Sequence, residues 1–305
     1  MKLRKLILAG GTGFLGRAII DRFSAGCDQI IVLTRGAERT EKNVSYLRWD
    51  GKTVGKWFAE IDGADVLINL TGKSVDCRYN EKNKAEILSS RIDAAKVLGE
   101  AVAKAARPPK LWMNAASATI YRNAEDRPMT EYDGETGSGF SVDVCKAWEK
   151  VFDDVIAPET RKITLRISMV LGKDGGVIPV LKKLVKFGLG GTMGSGRQFI
   201  SWIHEDDFVN ALQFFIEHEH TSGTYNLASP DPMPNKEFMA LMRKEQHVPF
   251  GLPAAAWMLE IGAFFIRTET ELILKSRRVV PTRLLEEGFT FRYPTTETAL
   301  KQLLN

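Results

Sequence analysis

Apolar residues fall along the first half of the chain in short runs, separated by longer stretches with helical spacing. The runs lie at 6–9, 30–34, 44–49, 66–70, 110–116 and 163–171 and are rich in Leu, Ile and Val. Continuous apolar runs of this length suit strands buried on both faces. Between them, helical spacing covers about 14–24, 81–105 and 142–156. Strands alternating with helices predict βαβ units and a parallel sheet covered on both sides. The expected fold class is therefore α/β, a Rossmann-type doubly wound parallel sheet. The second half changes character. Glycines crowd 188–196, and Pro230, Pro232, Pro234, Pro249, Pro253 and Pro281 interrupt short helical patterns. This predicts a dinucleotide-binding core over 1–170 and a small α/β C-terminal lobe over 171–305. No linker-like segment separates the two, so parts of the lobe are expected to return to the core.

The first strand runs into a glycine loop, Gly10-Gly11-Thr12-Gly13-Phe14-Leu15-Gly16, which opens a helix. Gly10 and Gly13 allow a tight turn and close approach of backbone to a pyrophosphate, and Gly16 lets the helix pack on the sheet. The helix start, with Phe14 and Leu15, turns unpaired N–H groups and a positive dipole end toward the phosphates. The second strand ends Leu33-Thr34-Arg35-Gly36, with Arg39 close behind. A carboxylate at that place holds the ribose 2′-hydroxyl of NAD, whereas a guanidinium suits the 2′-phosphate of NADP. Thr34 and Arg35, helped by Arg39, therefore predict NADP(H).

Composition narrows the surroundings. The chain has 305 residues, 44% hydrophobic and 26% charged, with a net charge of +4. A mild positive charge without a basic run suits anionic small molecules and gives no reason to expect nucleic acid. Cys27, Cys77 and Cys145 are odd in number and lack metal-ligand spacing, so reduced thiols, no metal and a cytoplasmic protein are expected. The apolar N-terminal run is too short for a leader. The apolar stretch 248–266 contains Gly251, Pro253, Glu260 and Gly262, which favours a core or interface helix over a membrane span. The partner expected is a small-molecule substrate, with the chain a monomer or homodimer.

The glycine loop together with Asn69-Leu70-Thr71-Gly72 resembles the extended short-chain dehydrogenase/reductases. Further runs narrow the likeness: Ser90-Arg91-Ile92-Asp93, Leu165-Arg166-Ile167, Gly190–Gln198, Ser201-Trp202-Ile203-His204 and Tyr225-Asn226-Leu227. With Pro281, Leu284-Leu285 and Gly288-Phe289, they resemble the atypical branch called epimerase family proteins, described as nucleoside-diphosphate-sugar epimerases or related oxidoreductases. The resemblance implies a Rossmann domain with a small C-terminal lobe, and NADP(H). It also implies that Asp50 holds the adenine amino group and that Leu70, Thr71 and Gly72 approach the cofactor ribose.

Hydride-transfer enzymes of this superfamily use a serine, a tyrosine and a lysine, the last two as Tyr-x-x-x-Lys. The tyrosine moves the proton, and the lysine holds the ribose and lowers the tyrosine pKa. Ser117 matches the serine and Lys146 the lysine, but Val142 stands where the tyrosine belongs. Tyr121 is either its stand-in or a packing aromatic. Lys73, Arg78, Arg197 and Gln198 are candidates for an anionic substrate, or else solvated side chains. His204, before Asp206 and Asp207, reads as a helix-start signal. The leading expectation is an NADP(H)-dependent oxidoreductase or epimerase acting on a sugar-like or anionic substrate. The alternatives are a sensor that binds NADP(H) without turnover, and an epimerase retaining tightly bound NAD.

Overall fold

In the first strand, β1 (Leu3–Ala9), Leu6 and Leu8 turn to one face and Ile7 and Ala9 to the other, and all four are fully buried. A strand with no wet face must lie inside a sheet covered on both sides. The computed structural model, which describes residues 2–260 and 269–305, places it there. Parallel to β1 run β2 (Cys27–Thr34) on one side and β5 (Val66–Asn69) on the other. Beyond β2 come β4 (Val44–Arg48) and the short antiparallel β3 (Arg39–Glu41). Beyond β5 come β6 (Leu111–Ser117), β7 (Arg161–Ile167) and β11 (Gly223–Leu227), all parallel. The spatial order β11-β7-β6-β5-β1-β2-β4-β3 reverses its progression between β1 and β5. In such a sheet the ligand crevice lies beyond the carboxyl ends of the strands at the reversal.

Helices α1 (Phe14–Phe23) and α6 (Glu205–Glu217) cover the Leu6–Leu8 face. The other face is covered by α3 (Glu81–Lys104), α4 (Phe140–Asp153) and the short α2 (Phe58–Ile61). The chain has the expected Rossmann-like α/β fold. The apolar run 163–171, expected as one strand, is two. The Ser168 N–H and Oγ both donate to the Leu227 carbonyl, at 3.0 and 2.7 Å, where β7 ends. The chain then changes partner, and β8 (Met169–Leu171) pairs with β10 (Trp202–His204). Hydrophobicity is continuous across that change, so the pattern does not reveal it.

The rest of the C-terminal half packs around Trp202, Phe238, Met242, Leu300 and Leu303. It holds α5 (Ile178–Lys186), the antiparallel pair β9 (Phe199–Ile200) and β12 (Met233–Pro234), α7 (Asn235–Glu245) and a terminal helix, Thr296–Leu304. The His204 cluster is structural, as expected: its Nδ1 accepts the Asp206 N–H at 3.0 Å and caps α6. Asp207, fully buried, accepts the N–H groups of Arg292 and Tyr293 at 2.7 and 2.9 Å and ties down the tail. Of the apolar stretch 248–266, the part at 249–253 is not helical, Phe250 and Leu252 are exposed, and 261–266 lie outside the described residues. No helix among the described residues is long and apolar enough to cross a membrane.

Candidate functional site

The glycine loop sits at the reversal between β1 and β5. Gly10 has φ +76°, and a Cβ there would stand 3.0 Å from the backbone of Thr71. Only glycine takes that conformation and that approach without strain. A Cβ on Gly16 would lie 2.1 Å from the Gly11 carbonyl oxygen, so α1 rests directly on the loop. Gly13 is the contrast: a Cβ there meets nothing within 4 Å. Gly13 supplies no side-chain cap and the first turn of α1 has no acidic residue. Its leading N–H groups thus have no side-chain acceptor among the described residues, next to open space that would take an anion. The Phe14 ring anchors this turn, since a Cβ on Gly172 or Gly175 would reach within 2.3 Å of it. Leu15 packs half-buried on the core beneath.

A cleft of about 390 Å³ opens beyond the ends of β2 and β4, lined by Arg35, Arg48, Trp49, Asp50, Thr53, Gly55 and Trp57. Thr34 shapes its rim: its Oγ1 accepts the Gly36 N–H at 3.1 Å and fixes the turn that carries Arg35. Both Arg35 and Arg48 are exposed, and neither guanidinium has a hydrogen bond or ion pair among the described residues. Arg39, expected to help Arg35, does not line the cleft. It pairs with Glu41 at 2.7 Å and lies 3.5 Å from the Tyr46 ring centre. Arg48 takes its place, because β4 runs parallel to β2 and ends beside it. The Asp50 carboxylate accepts the N–H groups of Thr53 and Lys52 and the Thr53 hydroxyl, which hold it below the usual carboxylate range. Two orphaned polar atoms belong to this region, Trp49 Nε1 and, at the end of β5, Thr71 Oγ1. A buried polar atom left without a partner costs about 1–3 kcal/mol, so both suit a polar ligand. Asn69 braces Leu70 and Thr71 by accepting the Thr71 N–H at 3.0 Å and donating to Asn114 at 2.7 Å.

Each of the three residues expected for catalysis, Ser117, Tyr121 and Lys146, has hydrogen-bond partners within the chain. Ser117 ends β6 as anticipated, with its Oγ accepting the Thr119 N–H and donating to Thr119 Oγ1. Tyr121 is fully buried. Its hydroxyl donates to Asn226 Oδ1 at 2.8 Å and lies 3.1 Å from the Thr130 carbonyl, and it accepts from Arg166 at 2.9 Å. Burial pushes its pKa up against the pull of Arg166. Tyr121 is therefore a packing and hydrogen-bonding residue, closed off from a substrate. Lys146 is exposed, and its ammonium donates to the Gly137 carbonyl at 3.0 Å. Val142 is buried. The polar residues on the sheltered side of α4 are instead Ser141, Cys145 and Glu149, spaced one turn apart. Burial pushes the Cys145 thiol up to about 12 and also raises that of Cys27. A disulfide reagent at pH 8 should therefore react with the half-exposed Cys77 alone, and with all three thiols after denaturation. Rapid labelling of Cys145 in the folded protein, read by peptide mass, would contradict this.

The four substrate candidates are all engaged by the chain itself. Lys73 binds Asn83 and Glu86. Arg78 lies 3.9 Å from Glu269. Arg197, largely exposed, pairs with Glu125 at 3.2 Å. Gln198 is buried and latches the Gly-rich turn through the Met193 carbonyl and Ser195. Two arginines that the linear pattern does not single out, Arg91 and Arg277, are half-buried without a hydrogen-bonded carboxylate among the described residues. Within the sequence Arg91 was visible only as part of Ser90-Arg91-Ile92-Asp93.

The model of the NAD dependent epimerase/dehydratase family matches residues 6–228, and a domain family of unknown function, DUF1731, matches 254–303. The chain is 32% identical over 302 residues to the epimerase family protein YfhF of Bacillus subtilis, covering 98% of this chain and 97% of the relative. It is 30% identical over 306 residues to the epimerase family protein SSP1921 of Staphylococcus saprophyticus, covering 99% and 100%. Among solved structures, human epimerase family protein SDR39U1 with NADPH superposes with a TM-score of 0.87 at 27% identity, covering 98% and 99%. MoeE5 in complex with UDP-glucuronic acid and NAD superposes with a TM-score of 0.76 over 98% and 97%, and at 18% identity is a likeness of fold alone.

Proposed function

The chain belongs to the NAD dependent epimerase/dehydratase family, and on that premise we propose that it binds NADP(H) and transfers hydride to or from a small sugar-like or anionic substrate. The observation that carries this reading is the cleft beyond β2 and β4, lined by Arg35 and Arg48, whose guanidiniums have no hydrogen bond or ion pair among the described residues. A 2′-phosphate is the cofactor group that two such guanidiniums select. The relative solved with NADPH supports the same choice. Gly13 and the open start of α1 receive the pyrophosphate, and Thr71 Oγ1 gains a partner at the ribose. The nicotinamide, when bound, supplies or accepts the hydride. Ser117 Oγ already donates to Thr119 and accepts its N–H, which leaves one lone pair to accept and orient a substrate hydroxyl.

The test is cofactor selectivity. Each charge-assisted contact to the 2′-phosphate is worth about 1.5–3 kcal/mol, so Arg35→Ala or Arg48→Ala should weaken NADPH roughly 10–100-fold and leave NADH nearly unchanged. Trp49 and Trp57, both in the cleft, provide the fluorescence signal. Equal affinity of the unaltered protein for NADPH and NADH would sink the NADP(H) assignment. A second reading, a cofactor-binding protein without turnover, draws on α4: Val142 is buried and Lys146 is held at the surface by Gly137. Screening NADPH oxidation against carbonyl compounds separates the two, because such a protein binds the cofactor and oxidises none.

A further inference from the structure

The glycines at 188–196 bring two stretches of backbone into contact. A Cβ on Gly191 would stand 2.4 Å from the backbone of Leu252, and one on Gly251 would stand 2.6 Å from that of Gly190. Hydrogen bonds join the two stretches. The Leu252 N–H donates to the Gly188 carbonyl at 2.8 Å and the Gly191 N–H to the Leu252 carbonyl at 3.2 Å. The Ala254 N–H donates to the Thr192 carbonyl at 2.9 Å and the Gly194 N–H to the Ala254 carbonyl at 2.8 Å. The joined backbone displays apolar side chains to solvent. Phe187 is 80% exposed, Phe250 64% and Leu252 59%, and Leu189 is exposed with them. Phe250 lies against the turn at Gly188, where a Cβ would come within 3.3 Å of its ring. Val180 and Lys183 fall on the Phe187 side of α5, at helical spacing, and both are exposed.

This apolar face carries positive charge and no negative charge of its own. No acidic residue occurs in 175–204 or in 246–259. Lys183 and Lys186 are exposed, and neither ammonium has a hydrogen bond or ion pair among the described residues. Lys182 beside them donates to the Leu304 carbonyl at 3.1 Å. A contiguous exposed apolar patch marks a surface that something covers. Charge decides between the occupants. A two-fold contact sets such a face upon itself. Lys183 and Lys186 of both copies would then enter one apolar interface with no carboxylate on the face to meet them. A bilayer with anionic headgroups offers negative charge to the lysines and hydrocarbon to the rings directly beneath.

We propose that this face seats the protein on an anionic bilayer surface. Phe187, Phe250 and Leu252 enter the boundary between headgroups and acyl chains, and Lys183 and Lys186 lie among the headgroups. The contact is peripheral, since no helix among the described residues is long and apolar enough to cross a membrane. None of these residues lines the Arg35–Arg48 cleft, so the proposal stands apart from the cofactor assignment.

The test is sedimentation of the full chain with vesicles of phosphatidylcholine alone and of phosphatidylcholine and phosphatidylglycerol in equal parts. A lysine close to an anionic surface contributes about fivefold, so the mixed vesicles should bind at least tenfold more tightly, and less so as salt is raised. Lys183→Glu with Lys186→Glu, and separately Phe187→Ser with Phe250→Ser, should each weaken that binding at least tenfold. All four side chains are exposed, so melting curves should stay in place. Lys104→Glu with Lys150→Glu changes the net charge equally on α3 and α4 and should bind as the unaltered protein does. Binding to neither vesicle, equal binding to both, or an equal loss in the Lys104 and Lys150 variant overturns the proposal. So does a dimer in the absence of vesicles that Phe187→Ser with Phe250→Ser dissociates, because the face then belongs to a second copy.

Discussion

Replacing Glu149 by alanine is expected to cost about 3–5 kcal/mol of stability, the usual loss when one member of a buried ion pair is removed. Glu149 and Arg166 are joined by two parallel bonds, Nε to Oε1 at 2.9 Å and Nη2 to Oε2 at 2.8 Å. Their side chains are only 12% and 14% exposed. Burial works against the Arg166 charge, and the Glu149 fork together with Tyr121 outweighs it and holds the guanidinium protonated above its ordinary value. Without Glu149 that charge stays, because arginine does not release its proton in a protein. At roughly 2–4 °C per kcal/mol, the melting temperature should fall by about 6–20 °C. Replacing both partners by Leu and Met should recover most of the loss, since the cost lies in the stranded charge. A shift below about 2 °C for Glu149→Ala would show that solvent reaches Arg166 and would refute the buried-pair account.

The glycine loop gives the second large effect and separates binding from folding. In Gly16→Val the new Cβ would stand 2.1 Å from the Gly11 carbonyl, a backbone atom that moves only if the loop opens. The overpacking should cost about 1–3 kcal/mol of stability. Opening the loop also withdraws the N–H groups at the start of α1. Two lost charge-assisted bonds of about 1.5–3 kcal/mol each weaken NADPH by more than roughly a hundredfold. Gly13→Ala is the discriminating partner. Its Cβ meets nothing within 4 Å and its φ of −81° suits alanine, so folding should change by less than about 1 kcal/mol. The methyl group would fill the space assigned to the pyrophosphate, so NADPH affinity should still fall at least tenfold. Calorimetric melting and fluorescence titration on the two variants check both statements. Undiminished NADPH binding by Gly13→Ala would remove the pyrophosphate from that place.

Much of the fold was legible because its signals are local. The runs at 6–9 and 66–70 are apolar on both faces, and only a covered central strand accepts that. Gly10 and Gly16 fall at the strand–helix junction where the packing of the chain demands glycine, and Gly13 falls beside the open start of α1. The split of 163–171 escaped the pattern because β8 is as apolar as β7 and differs only in its partner. Strand β11 escaped for a related reason: nothing local tells 223–227 that its neighbour is β7, some sixty residues earlier.

The candidate site divides the same way. The sequence by itself determined the doubly wound sheet, the glycine loop at its first strand–helix junction and the positive end of β2, since each is written in residues adjacent along the chain. Only the tertiary structure decided which charges are available. Arg197 is tied to Glu125 and Arg78 to Glu269, while Arg39 lies on Tyr46. Arg48 is brought to the cleft by β4, and Arg91 and Arg277 are left without a bonded acid among the described residues. Whether a cation is neutralised depends on residues tens to hundreds of positions away. Periods of two and 3.6 residues carry the face a side chain turns to, and nothing about the partner it meets there.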